Sequence, residues 1–259
     1  MEPRTVTAAQ GWIWIKQGFA IFRRSPAVWL AMLFALYFAT KLLAFIPLLA
    51  IAFILFMPLF IAGLADGCRE LERGGALVAG HLLCGFRHNA AQLVTIGGIS
   101  LVGNLGIMMI VVGLSGDAMS VMTKAMTAGP PGTPQALEEM RTAAQSVGRA
   151  LLVGMLVSLP LVMALWFAPL LVYFHDQSPL AAMKSSLIAC FRNAGAMLVF
   201  GLAIFAGMFL AMPFSMALKQ YDLALWLLAP VALPALYASY KDIFLAGAAP
   251  QESTDSPAD

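Results

Sequence analysis

Six stretches of the chain carry apolar residues on every face of a helix, at about 26–45, 47–65, 90–113, 149–174, 194–217 and 223–245. Each approaches or exceeds the roughly 20 residues needed to cross a hydrocarbon core. Ser25-Pro26 gives the first an N-cap followed by a proline, whose missing N–H costs nothing at the first helical position. Before it the pattern is amphipathic: Trp12, Ile15, Phe19 and Phe22 recur at helical spacing, with Gln10, Lys16, Gln17 and Arg23 elsewhere on the wheel. This predicts an in-plane interfacial helix. The arrangement is all-α, with six membrane spans in one integral domain over 1–245.

Composition agrees with the pattern. The chain is 61% apolar and 11% charged, where a soluble domain holds about 25% charged residues. A net charge of +2 gives no reason to expect nucleic acid. No cleavable leader is evident, because Lys16 interrupts the short apolar run at the start. Cys68, Cys84 and Cys190 are an odd set and are expected as free thiols.

The flanking charges predict orientation. With the N-terminus inside, Arg4, Lys16, Arg23, Arg24, Arg69, Arg73, Arg87, Lys184, Arg192 and Lys241 fall on the cytoplasmic side. Lys41, Lys124, Arg141, Arg149 and Lys219 fall on the other. Both termini are therefore expected in the cytoplasm, and the small, acidic segment 246–259 is expected as a disordered tail. Lys41 lies near the far end of its span and is expected to snorkel to the interface.

The chain also repeats itself. Phe22-Arg23, Phe86-Arg87 and Phe191-Arg192 each stand just before a span, whereas 17 Phe and 9 Arg in 259 residues give about 0.6 such pairs by chance. FRHNAAQLV at 86–94 aligns with FRNAGAMLV at 191–199 without a gap. Pro58, Pro169 and Pro234 precede Asp66, Asp176 and Asp242 by eight, seven and eight residues. The expected units, about 9–66, 76–176 and 177–242, each hold an interfacial elbow helix, a rising span and a returning span with a proline. All run in the same direction. An outer loop at about 114–148 interrupts the middle unit, with two short helices expected around the turn 129–134.

Carboxylates at helix C-termini oppose the dipole, so Asp66, Asp176 and Asp242 are expected to need partners. The elbow arginines Arg23, Arg87 and Arg192, at the same depth, are candidates both for that pairing and for contact with lipid headgroups. Gly97, Ser100, Gly103 and Gly106 form a small-residue stripe suited to close helix packing. Asn104 lies within it and is expected to bond across helices or line a polar cavity. His81, Cys84 and His88 lack a fourth ligand, and no phosphate loop, zinc-protease pair or nucleophile elbow is present. No metal, cofactor or catalytic residue is expected.

GWIWIKQGFAIFRRSPAVWL at 11–30 and FAPLLVYFHDQSPLAAMKSSLIACFRNAGAML at 167–198 resemble blocks of a family of polytopic proteobacterial inner-membrane proteins of unknown function. The resemblance runs from about Pro3 to Leu245; it implies an inner-membrane location and no particular activity. The reading that follows is a non-enzymatic membrane protein that binds or moves a small amphiphilic or lipid-like molecule. The alternative is a scaffold or assembly factor that docks another membrane protein.

Overall fold

In a computed structural model, described over residues 2–128, 133–220 and 222–246, helices begin where proline and polar residues allow them to. They are α1 (Gln10–Phe22), α2 (Pro26–Leu43), α3 (Pro47–Glu72), a 3₁₀ helix (Ala79–Phe86), α4 (Ala90–Ser115) and α5 (Ala118–Ala128). Then follow α6 (Pro134–Trp166), α7 (Ala168–His175), α8 (Pro179–Arg192), α9 (Ala194–Ala217) and α10 (Leu223–Tyr240), which ends in a π-turn at Lys241–Leu245. No strand occurs among the described residues. Among the described residues six segments are long and apolar enough to cross a membrane: α2, α3, α4, α6 with α7, α9, and α10.

The expected spans agree with these helices to within a few residues at most ends, and two regions differ. The second half of the outer loop is not a separate short helix. Thr133 caps α6 by accepting from the Ala136 N–H at 3.3 Å, and α6 then runs 33 residues into the fourth span with Pro160 inside it. The second elbow is a 3₁₀ helix, in keeping with Gly80 and Gly85, which are weak α-helix formers. Residues 129–132 of the predicted turn, and 247–259 of the predicted tail, lie outside the described residues.

The elbows lie at one end of the bundle, termed here the elbow end. Each packs on a span that ends there: α1 on α10, the 3₁₀ helix on α3, and α8 on α6 and α7. The face of α1 turned inward is Gly11, Trp14, Gly18 and Ile21, leaving Trp12 and Phe19 about half exposed. Among the rising spans, α4 is seated against both α3 and α6, while α2 makes only light contact with α3 and α10.

Two close approaches fix these seats. The Gly97 backbone of α4 lies against the Leu55 carbonyl of α3, so closely that a Cβ there would overlap the oxygen. Gly103 faces the Leu161 side chain of α6, whereas Gly106 has open space around its Cβ position. Of the expected stripe, the elbow-side part is packed and Gly106 is not.

The break between α6 and α7 falls at Phe167, two residues before Pro169. The proline ring has no N–H to give and collides with the carbonyl four residues back, so the ladder opens. Ser186 of α8 fills the gap. Its hydroxyl accepts from the Phe167 N–H at 2.9 Å and donates to the Met163 carbonyl at 2.6 Å, the two groups that an unbroken helix would pair directly. Ser186 is fully buried, and Cys190 one turn on approaches the same Met163 carbonyl at 3.5 Å.

Candidate functional site

The three spans that end at the elbow face bring their polar residues to one level. From α3 come Asp66, Arg69 and Glu72; from α7, Tyr173, Phe174, His175 and the following Asp176; from α10 and its π-turn, Tyr237, Tyr240, Lys241 and Asp242. Aromatic rings form the centre. Phe174 stacks on Tyr240 with centroids 5.5 Å apart, and both rings contact Tyr237 at 6.3 Å. The Arg69 guanidinium lies 4.6 Å from the centroid of Phe174, a favourable cation–π distance. The Tyr240 hydroxyl and His175 Nε2 share a hydrogen bond of 2.6 Å.

Ion pairs ring this centre. Lys241 Nζ reaches both Glu72 carboxylate oxygens at 2.7 Å, tying α10 to α3. Asp66 pairs with Arg69 one turn along the same helix. Asp242 accepts from Arg4 at 2.7 Å and from Trp14 Nε1 at 3.0 Å. Asp176 accepts from Asn89 Nδ2 at 2.6 Å and lies 3.0 Å from His88 Nε2. Asp66, Glu72, Asp176 and Asp242 thus each have a partner, and the charge at this end is compensated.

The partners of the three aspartates are a correction. Arg23, Arg87 and Arg192 take none of them among the described residues, and all three side chains lie on the exposed rim. Arg23 rests over Phe19 at 5.9 Å, and Arg192 donates to the Pro3 carbonyl at 3.4 Å. The elbows are nevertheless tied to spans by neighbouring residues. Arg24 donates to the Leu71 carbonyl at 2.7 Å, and Asn89 to the Val172 carbonyl at 3.0 Å. Asn193 binds the N-terminal segment, accepting from the Val6 N–H at 2.8 Å and donating to the Arg4 carbonyl at 2.9 Å. The Arg4 N–H in turn donates to the Ile243 carbonyl at 2.9 Å.

Asn104 is also corrected. Its Nδ2 donates to the Ser100 carbonyl at 2.8 Å within its own helix, and the side chain faces out of the bundle. A carbonyl four residues back is always within reach of a helical Asn, so the polar group is satisfied without a second helix. Two features escaped the sequence reading: the burial of Trp14 and the role of residues 3–8. Gly11 and Gly18 stand seven apart, as do Trp14 and Ile21, and that spacing marks the packed face of α1. Nothing in the pattern of residues 3–8 marks them as a strap.

No group of three His, Cys, Asp or Glu side chains among the described residues is placed to hold a metal. The cysteines are free. Burial pushes the Cys190 thiol up to about 12, and burial with the nearby Asp66 carboxylate raises Cys84. A raised pKa means fewer thiolates at neutral pH, and the thiolate is the reactive form. Maleimide at pH 7.5 is therefore expected to leave Cys190 and the buried Cys68 unlabelled in the folded protein and to label Cys84 slowly. Rapid modification of all three is expected only after denaturation, as read by intact mass.

Apolar clefts open between spans. One of about 380 Å³ lies between α2 and α10. A second, of about 510 Å³, separates α2 from Leu77–Leu82, and a third, of about 210 Å³, is lined by Pro58 and Pro169. Six apolar spans around an ion-paired end define a polytopic α-helical membrane protein. The chain is 29% identical over 262 residues to a probable inner membrane protein of Burkholderia thailandensis, with 94% of each chain covered. That similarity and the six spans fit a multi-pass inner-membrane protein. No protein-family model and no solved structure matches the chain.

Proposed function

We propose that this protein is a non-catalytic inner-membrane protein that binds a small amphiphile or lipid, admitted sideways from the bilayer. The supporting observation is the contrast between its two kinds of surface. The elbow end is lined by paired charges and stacked rings. The clefts between spans are apolar and flanked by residues such as Phe34, which is 62% exposed. Such openings suit a molecule already dissolved in the hydrocarbon. The rim arginines Arg23, Arg87 and Arg192 suit contact with anionic headgroups. The lysine and arginine bias supports a cytoplasmic elbow end and cytoplasmic termini.

The same reading treats the bundle as three copies of one unit around a pseudo-threefold axis. In its favour, every elbow packs on the returning span of the preceding unit, with the first elbow on the last span. Each contact also uses a small elbow residue against backbone near a proline: Gly18 at Val231 and Ala235, Gly85 at Leu59, and Ser186 at Met163 and Phe167.

Native mass spectrometry of protein released gently from its own membrane tests the binding. A stoichiometric lipid or small-amphiphile adduct is expected, and a chain that is always bare overturns the reading. The scaffold alternative draws on one feature, the outward face of α4, where Gly98, Gly106 and Gly113 have open space around their Cβ positions and Asn104 is exposed. Small residues on a lipid face admit close approach of another helix. A second protein in fixed ratio in the same spectra would favour it.

A further inference from the structure

The cleft between α2 and α10 ends in a cluster of polar groups that gives it a direction. Leu30, Phe34 and Tyr37 of α2 face Leu223, Trp226 and Pro230 of α10 along an apolar slot. At its end away from the elbows, the Tyr37 hydroxyl donates to Gln220 Oε1 at 3.1 Å, and Lys41 Nζ donates to Asp222 Oδ1 at 2.7 Å. The Lys41 ammonium also lies 5.2 Å from the centroid of the Tyr37 ring. From Lys41 to Leu30 is eleven residues of helix, about 16 Å at 1.5 Å per residue, or roughly half of a ~30 Å hydrocarbon core. The slot is one leaflet deep, apolar along its length and charged at its mouth.

Resting on the amphiphile reading, we infer that this slot seats one acyl chain of a zwitterionic lipid whose head carries a primary ammonium and a phosphate. The argument is charge complementarity. The ammonium of Lys41 already occupies a site made of the Asp222 carboxylate and the Tyr37 ring, two groups that recognise an alkylammonium. A ligand ammonium takes that place, and the displaced Lys41 turns to the phosphate beside it. The paired ammonium of Lys41 and carboxylate of Asp222 match a head with one charge of each sign. Both side chains are part-exposed, Lys41 at 39% and Asp222 at 45%, so the exchange needs no burial of a bare charge. The light packing of α2 on α3 and α10 leaves room for the chain to slip in from the bilayer. A second acyl chain of the same lipid stays in the surrounding membrane.

The test uses the full chain in mild detergent. It is equilibrated with vesicles holding equal amounts of phosphatidylethanolamine and phosphatidylglycerol of different chain mass, and read by native mass spectrometry. Wild type is expected to retain phosphatidylethanolamine at least fivefold over phosphatidylglycerol. Leu227→Trp, which fills the slot, and Asp222→Asn, which removes the ammonium partner, are each expected to lower that adduct at least fivefold. Ala79→Trp, in the cleft on the other side of α2, is expected to leave it unchanged. An adduct that survives Leu227→Trp overturns the slot and leaves the amphiphile reading standing. Equal retention of the two lipids overturns the headgroup assignment. Wild type that retains neither lipid, nor any amphiphile from its own membrane, overturns both readings.

Discussion

Gly97→Ala is expected to lower stability by about 3 kcal/mol, at the upper end of what overpacking costs. The reason is geometric. The new methyl group meets a backbone carbonyl, that of Leu55, and a carbonyl in a helix cannot rotate away as a side chain can. α3 and α4 must separate along their contact, and the dispersion contacts on both sides of the seam weaken together. Gly106→Ala, nine residues along the same helix, supplies the contrast. Open space surrounds its Cβ position, so only the helix preference of alanine over glycine remains, worth up to about 1 kcal/mol in its favour. Thermal unfolding of the two variants in the same detergent, followed by tryptophan fluorescence, compares them directly. If Gly106→Ala proves as damaging as Gly97→Ala, the seam between α3 and α4 is placed wrongly.

Ser186→Ala is the second large effect. Removing the hydroxyl leaves the Phe167 N–H without its partner inside a fully buried break, a loss of about 1–3 kcal/mol. The Met163 carbonyl fares better, since the Cys190 thiol still approaches it. The neighbouring Ser185→Ala, on a part-exposed position of α8, is expected to change stability by less than about 0.5 kcal/mol. The same melting measurement reads both variants. Equal melting of Ser186→Ala and wild type would mean that Ser186 does not complete the opened ladder.

What was legible in the sequence follows from how far each force reaches along the chain. Burial of apolar residues in lipid acts residue by residue, so all six spans could be read from runs such as Ala194–Ala217. The start of α2 was equally local, because Ser25-Pro26 carries its own signal. Partner choice is not local. Asp242 and Arg4 stand 238 residues apart, and no spacing rule connects an aspartate in the last helix to an arginine before the first. Arg23, Arg87 and Arg192 were reasonable partners by depth, but depth does not fix which way a side chain points around a helix. Asn104 failed for the opposite reason, because a local bond to Ser100 satisfied the group that had been assigned a distant one. The long α6 could have been anticipated: between Pro134, which opens the helix after the cap at Thr133, and Pro160 the chain contains no proline to stop it.

The seat of α1 on α10 carries a consequence for biogenesis. α1 is among the first residues made, and the α10 surface that receives Gly18, at Val231 and Ala235, lies more than 200 residues later in the chain. At ~5–20 residues per second, translation separates the two by roughly 10–40 s. Throughout that interval α1 must wait on the membrane surface with Gly18 and the Trp14 indole N–H still unmatched. Asn193 is available earlier to Val6 and the Arg4 carbonyl, but only when the last helix is inserted does Arg4 find Ile243 and Asp242. Assembly of this bundle therefore finishes at its beginning: the first helix synthesised completes its seat last, and a chain truncated before Leu223 can offer it only the α9 contacts at Ala196 and Phe200.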